Sequence, residues 1–136
     1  MTFAFVIFLA FADLGAVKSE PDLNKRSELA LQNANQALDE AHQASQANND
    51  KALTAALAEV DDSVAVCYQS LEQTHSTPRK SRYYKRAELK LSALLRRLTT
   101  LRDEVDYESQ SKVDAVIKKV SGTHDELLGE IMSKRK

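Results

Sequence analysis

The stretch LTAALAEVDDSVAVCYQSLEQT, residues 53–74, decides the fold. Within it Leu53, Leu57, Val60, Val64, Cys67, Leu71 and Thr74 recur at alternating spacings of four and three. That interval returns side chains to one face of a helix, whereas a half-buried strand needs alternation by two. Glu59, Asp61 and Asp62 fall between the seam positions, so the stretch reads as an amphipathic helix that must hide its apolar edge against a neighbour.

Moving upstream, Leu23, Ser27, Ala30, Ala34, Ala37, Ala41 and Ala44 form a second such seam, widened by Leu31 and Leu38. Ser19 is read as its N-cap, with Pro21 in the first turn and Asp22 supplying an acid near the exposed amides. Carrying this phase forward places seam positions at 48, 51, 55 and 58, which the next segment does not use. The register therefore breaks at Asn48, Asn49 and Asp50, side chains that compete for backbone hydrogen bonds and favour a tight turn. Because this segment uses Ala where the others use Leu, it removes less apolar area from water, and the sequence predicts the fastest amide exchange there.

Downstream, Pro78 disfavours helical geometry at Thr77 and suits the first position of a new helix. The third seam runs Tyr84, Ala87, Leu91, Leu94, Leu98, Leu101 and Val105, with Leu95 beside it, and its length predicts pairing along the second helix. The seam then changes phase to Val113, Ile117, Val120, His124, Leu127 and Ile131, which places a turn at residues 106–110. Gly122 with Thr123 and Glu126 marks a kink or restart in the fourth helix. Four helices of similar length joined by short loops predict an all-α fold, an antiparallel up-down-up-down four-helix bundle with coiled-coil-like seams.

Composition agrees. The chain has 136 residues with three Gly, two Pro and no Trp, room for one modest core and few interruptions to helix. Cys67 is the lone cysteine, so no internal disulfide and no zinc or haem attachment pattern is present.

Ahead of Asp13 lies an apolar run of about a dozen residues that ends in Ala10, Phe11 and Ala12, the shape of a signal h-region and its cleavage site. It is too short to span a bilayer, which takes about 20 apolar residues, and no Lys or Arg precedes it. The expected organisation is an export leader over 1–18, cut near Ala12 or Ala16, and a single helical-bundle domain over 19–136. The expected location is periplasmic or secreted.

Net charge is −1 overall, which recommends no partner class, but the charges are unevenly placed. Residues 19–48 hold five acids and two bases, 49–77 five acids and one base, 78–105 nine bases and three acids, and 106–136 six of each. On the third helix Arg79, Arg82, Arg86, Lys90 and Arg97 project within about 60° of one direction, a quarter turn from the seam. One reading is an anion-binding strip for nucleic acid, an anionic lipid or a cell-wall polymer, with Tyr83 available for stacking. The better-supported reading is charge complementarity with acids of neighbouring helices, Asp61 and Glu72 of the second helix among them. Glu88 points away from the strip.

His124 sits in the fourth seam and is expected to be a neutral, hydrogen-bonded core residue, without a Ser or Cys nucleophile at a recognisable spacing. Cys67 is expected to be a buried, inert thiol. Glu72 with His75 and Asp39 with His42 are Glu-x-x-His-like pairs, but they lie off the seams and lack the second pair that a dicarboxylate metal site requires. Met132 and His124 share one helix and cannot flank one iron. No cofactor, metal or enzymatic activity is expected. The chain is similar in general style to small exported helical bundles of bacterial envelopes, a likeness of composition that carries no residues over. The expected role is a non-catalytic interaction or structural module, with an unknown protein partner or self-association and a weaker case for a polyanion.

Overall fold

The computed structural model describes residues 12–133. It contains α1 (Leu14–Lys18), α2 (Leu23–Gln46), α3 (Asp50–Gln73), α4 (Arg82–Glu104) and α5 (Tyr107–Met132), and no strand among the described residues. The four long helices are the four segments of the sequence reading, and α1 is an addition to them.

Local chemistry sets each boundary. The N-cap of α2 is Asp22, whose side chain accepts from the Lys25 N–H at 3.2 Å. Ser19 instead closes α1, so Pro21 lies between the two helices rather than inside the first turn. At the α2/α3 turn Asn48 takes φ 55°, and the Asn49 N–H donates to Ala44 O at 2.9 Å while the Asn48 N–H donates to Ser45 O at 3.1 Å. This is a left-handed helix stop that Asn tolerates better than most residues. Asn49 then caps α3 by accepting from the Ala52 N–H at 3.0 Å, so three residues end one helix and start the next.

Pro78 does not open α4. Residues 77–80 form a turn in which the Lys80 and Ser81 N–H groups both donate to Thr77 O at 3.0 Å. Ser81 is the cap, accepting from the Tyr83 and Tyr84 N–H groups. Between α4 and α5 the chain breaks for only Val105 and Asp106, both in extended geometry that any L-residue adopts, which explains a phase change without Gly or Pro. Helix α5 is continuous through Gly122, where an added Cβ would meet only open space; Thr123 does not restart it.

The helices pack in the ring order α2, α3, α5, α4, and α3 barely touches α4. This departs from the expected pairing of the second and third long helices. Side-chain contacts give the directions: Asn33 of α2 meets Glu59 and Ser63 of α3, and the 47–49 turn folds one back on the other. Glu88 and Arg102 of α4 meet His124 and Asp114 of α5 in descending order. Along α2 and α4, however, Glu28 and Asp39 meet Arg86 and Arg97 in ascending order, and Asp50 and Asp61 of α3 meet Lys112 and Lys119 of α5 likewise. Two hairpins thus lie side by side with like-directed helices adjacent, where an all-antiparallel ring was expected. The eight residues 74–81 give the chain the reach to cross the end of the bundle that this order requires.

Leu38, Leu71, Leu91, Leu94, Leu98 and Leu127 are fully buried at the centre, with Val60, Val64, Val113 and Val120. Helix α1 lies on α2 and α3 and contributes Leu14 and Val17 to the same core. Residues 12–18, assigned to the leader in the sequence reading, therefore make contacts with the bundle; residues 1–11, which carry most of the apolar run, lie outside the described residues. Among the described residues no helix is long and apolar enough to cross a membrane.

Candidate functional site

The five residues of the basic strip do not act as one surface. Arg79 lies in the turn before α4 and does not share its helical direction. Arg86 pairs with Glu28, and Arg97 reaches Asp39 at 2.5 Å and Asn35 Oδ1 at 2.8 Å. Arg82 sits 5.0 Å from the Tyr83 ring centroid and donates to its hydroxyl at 3.1 Å, with Arg86 5.6 Å from the same ring. Lys90 is half-buried beside the core, its charge felt at Cys67. The acids that meet the strip come from α2, not from Asp61 and Glu72 of α3; Asp61 pairs with Lys119 of α5 at 3.2 Å.

His124 stands at the α4/α5 seam with 13 % of its side chain exposed. Its Nε2 lies 2.8 Å from Glu88 Oε2 and 3.0 Å from Ser92 Oγ, and its Nδ1 lies 3.2 Å from Asp125 Oδ1. The side chain of Glu88 thus turns to α5, away from the basic strip. Ser, His and acid in contact invite comparison with a hydrolytic triad, but the proton arithmetic differs. Glu88 faces Nε2 directly, so Nε2 carries a proton and donates it to the carboxylate. Ser92 Oγ also donates to Glu88, at 3.2 Å. With both donors spent on one carboxylate, Nε2 has no lone pair with which to activate the serine.

Burial, the largest single influence on His124, lowers its pKa; the hydrogen bonds and charges of Glu88 and Asp125 outweigh it and raise the value above the ordinary 6.5. The neutral core histidine of the sequence reading is therefore a histidine biased toward its cationic form. Cys67 is buried, and that burial pushes its thiol up to about 12 against the opposing pull of Lys90, which keeps it protonated and unreactive. Burial and the Glu130 hydrogen bond likewise hold the Tyr68 hydroxyl protonated.

The Glu-x-x-His-like pairs do not act as ligand pairs, and Asp39 is taken by Arg97. His42 bonds Glu104 at 2.8 Å, and His75 occupies the left-handed position that ends α3, φ 55°. Among the described residues no three His, Cys, Asp or Glu side chains converge as metal ligands.

A polar constellation that the sequence reading missed lies under α1. Asn33, only 8 % exposed, accepts from the Asp13 N–H at 2.7 Å through Oδ1 and donates through Nδ2 to Glu59 Oε2 at 2.8 Å and Ser63 Oγ at 2.9 Å. Glu59 Oε2 also accepts from the Leu14 N–H at 3.1 Å, and Glu40 Oε2 accepts from the Ala12 N–H at 2.5 Å. Neither glutamate meets a cationic side chain among the described residues. The one sequence signal was an Asn inside an otherwise apolar helix face, between Leu31 and Ala34.

Compared with protein-family models, with curated proteins and with solved structures, the chain has no match in any of the three.

Proposed function

We propose that the protein is an exported, non-catalytic helical bundle that serves as an interaction or structural module, in the periplasm or outside the cell. The observation that carries this reading is where its chemistry-bearing side chains are spent. Arg86 and Arg97 are committed to α2, His124 to Glu88 and Cys67 to the core, so the groups that act elsewhere as nucleophile, base or ligand here join helices. The apolar run before Asp13 supports export. Expressed from its full sequence in a secreting host and fractionated, the protein is expected outside the cytoplasm; recovery wholly in the cytoplasm overturns the export reading.

The alternative is anion binding through Arg79, Arg82, Arg86, Lys90 and Arg97. It draws support from Arg79, Lys80 and Arg82, which are exposed at one end of the bundle without a carboxylate in ion-pair distance among the described residues. Phosphate contacts through that cluster entail strong retention on heparin that falls steeply with salt. Elution at low salt removes this alternative.

A further inference from the structure

We infer that Asn33, Glu40 and Glu59 form a receptor for the α-ammonium group of Asp13, created when the leader is cut between Ala12 and Asp13. The inference rests on the export reading above and specifies its outcome at one peptide bond. Two independent observations meet there. The sequence places small residues at Ala10 and Ala12, the positions that a leader peptidase reads before its cut. The structure places Asn33, a nine-tenths buried side chain, 2.7 Å from the nitrogen that the cut would free.

The charge arithmetic favours an ammonium over the amide that now occupies the site. Glu40 and Glu59 point two carboxylates at the nitrogens of residues 12 and 14, and Asp13 adds a third acid whose side chain accepts from the Ala16 N–H at 3.3 Å. No cationic side chain lies in ion-pair distance of these three among the described residues. Carboxylates held against neutral amides gain less than carboxylates held against a cation. Hydrolysis adds water across the Ala12–Asp13 bond, leaving a carboxylate on the released leader and an ammonium on Asp13. Asn33 Oδ1 already accepts from this nitrogen, and the acceptors for its further protons are Glu59 and Glu40, which now hold the nitrogens of residues 14 and 12 on either side. Glu40 lines the same cleft as Ala12 and Glu59 and loses its present partner when Ala12 departs, so it is free to turn to the new terminus.

The alternative cut after Ala16 fits the structure poorly. It removes Leu14, which is 9 % exposed in the core, together with the Asp13 cap of α1, and leaves Asn33 and Glu59 without the nitrogens they hold. A cut after Ala12 keeps α1 whole.

The test reads the chain and its terminus in the same material. The full sequence is expressed in a secreting host, the exported protein is sized by intact mass, and its terminal amine is titrated by NMR. The expected result is a chain beginning at Asp13 whose amine titrates at least about half a unit above the usual value of about 7.7–8.0, with Glu40→Gln returning it toward that value. Glu40 is the chosen variant because its hydrogen bond among the described residues is to Ala12, which the mature chain lacks. A chain beginning at Asp13 with an ordinary amine pKa, unmoved by Glu40→Gln, overturns the receptor and leaves export standing. A chain beginning at Val17 does the same. Retention of residues 1–12 overturns both.

Discussion

The two hairpins bury their seams by opposite means. In α2/α3 the face of α2 that carries Asn33 also carries Ala30, Ala37 and Ala44, all buried, and the two backbones approach far more closely than those of α4 and α5. In α4/α5 the buried residues are Leu91, Leu94, Leu98 and Leu101 on one helix and Val113, Val120 and Leu127 on the other, and large side chains fill a wider gap. The first hairpin gains from close backbone contact and dispersion, the second from apolar area removed from water. Leu31 and Leu38 lie on the other flank of α2, toward α4, so a single helix uses both means. The expectation that α2 is the least firmly held element counted only area and left out the close approach that small residues permit.

This contrast breaks first in the second hairpin. Leu94→Ala is expected to destabilise the fold by about 2–5 kcal/mol, read by urea unfolding, because a fully buried Leu leaves a cavity between helices that cannot close up. A loss below about 1 kcal/mol would show that the α4/α5 gap collapses and that the two hairpins are alike.

The converse substitution sharpens it. Ala37, with no exposed surface, has no room for extra methylenes, and Ala37→Leu is expected to cost about 1–3 kcal/mol by overpacking. Hydrogen exchange on the unaltered protein supplies the companion measurement: α2 amides from Ala30 to Ala41 are expected to exchange as slowly as those of α3. Fast exchange throughout α2 would restore the area-only reading.

The smallest effect comes from the titrating histidine at the seam of the second hairpin. The folded-state pKa of His124 is raised above 6.5, so the contribution of the His124–Glu88 pair to stability is fully present below the unfolded value and is lost as pH rises through the folded one. Thermal midpoints are therefore expected to fall from about pH 6.5 upward, and Glu88→Gln is expected to flatten that slope. A midpoint that rises with pH in this window contradicts the assignment.

Much of the fold was legible because it depends on spacing. The seams of residues 53–71 and 84–101 name buried side chains almost one for one, and the Asn48–Asn49 break is a turn because those side chains prefer that geometry. The start of α4 was misread at Pro78, since the crossing of residues 74–81 depends on where α4 docks. The candidate strip was legible as charge but not as a site: a helical projection shows that Arg86 and Arg97 share a direction, and not that Glu28 and Asp39 stand opposite. That Glu88 points away from the strip was legible, but its partner was not, because projection onto one helix carries no knowledge of His124. Asn33 passed unnoticed because its partners lie at residues 13, 59 and 63.

By itself, then, the sequence determined that the chain is helical, where its long helices lie and which edge of each avoids water, since periodicity and capping act within a few residues. Tertiary structure alone decided which helix stands beside which, that like-directed helices are neighbours, and which acid each base meets. Those outcomes depend on how closely Ala-lined and Leu-lined faces can approach, a property of pairs of surfaces that neither segment carries alone.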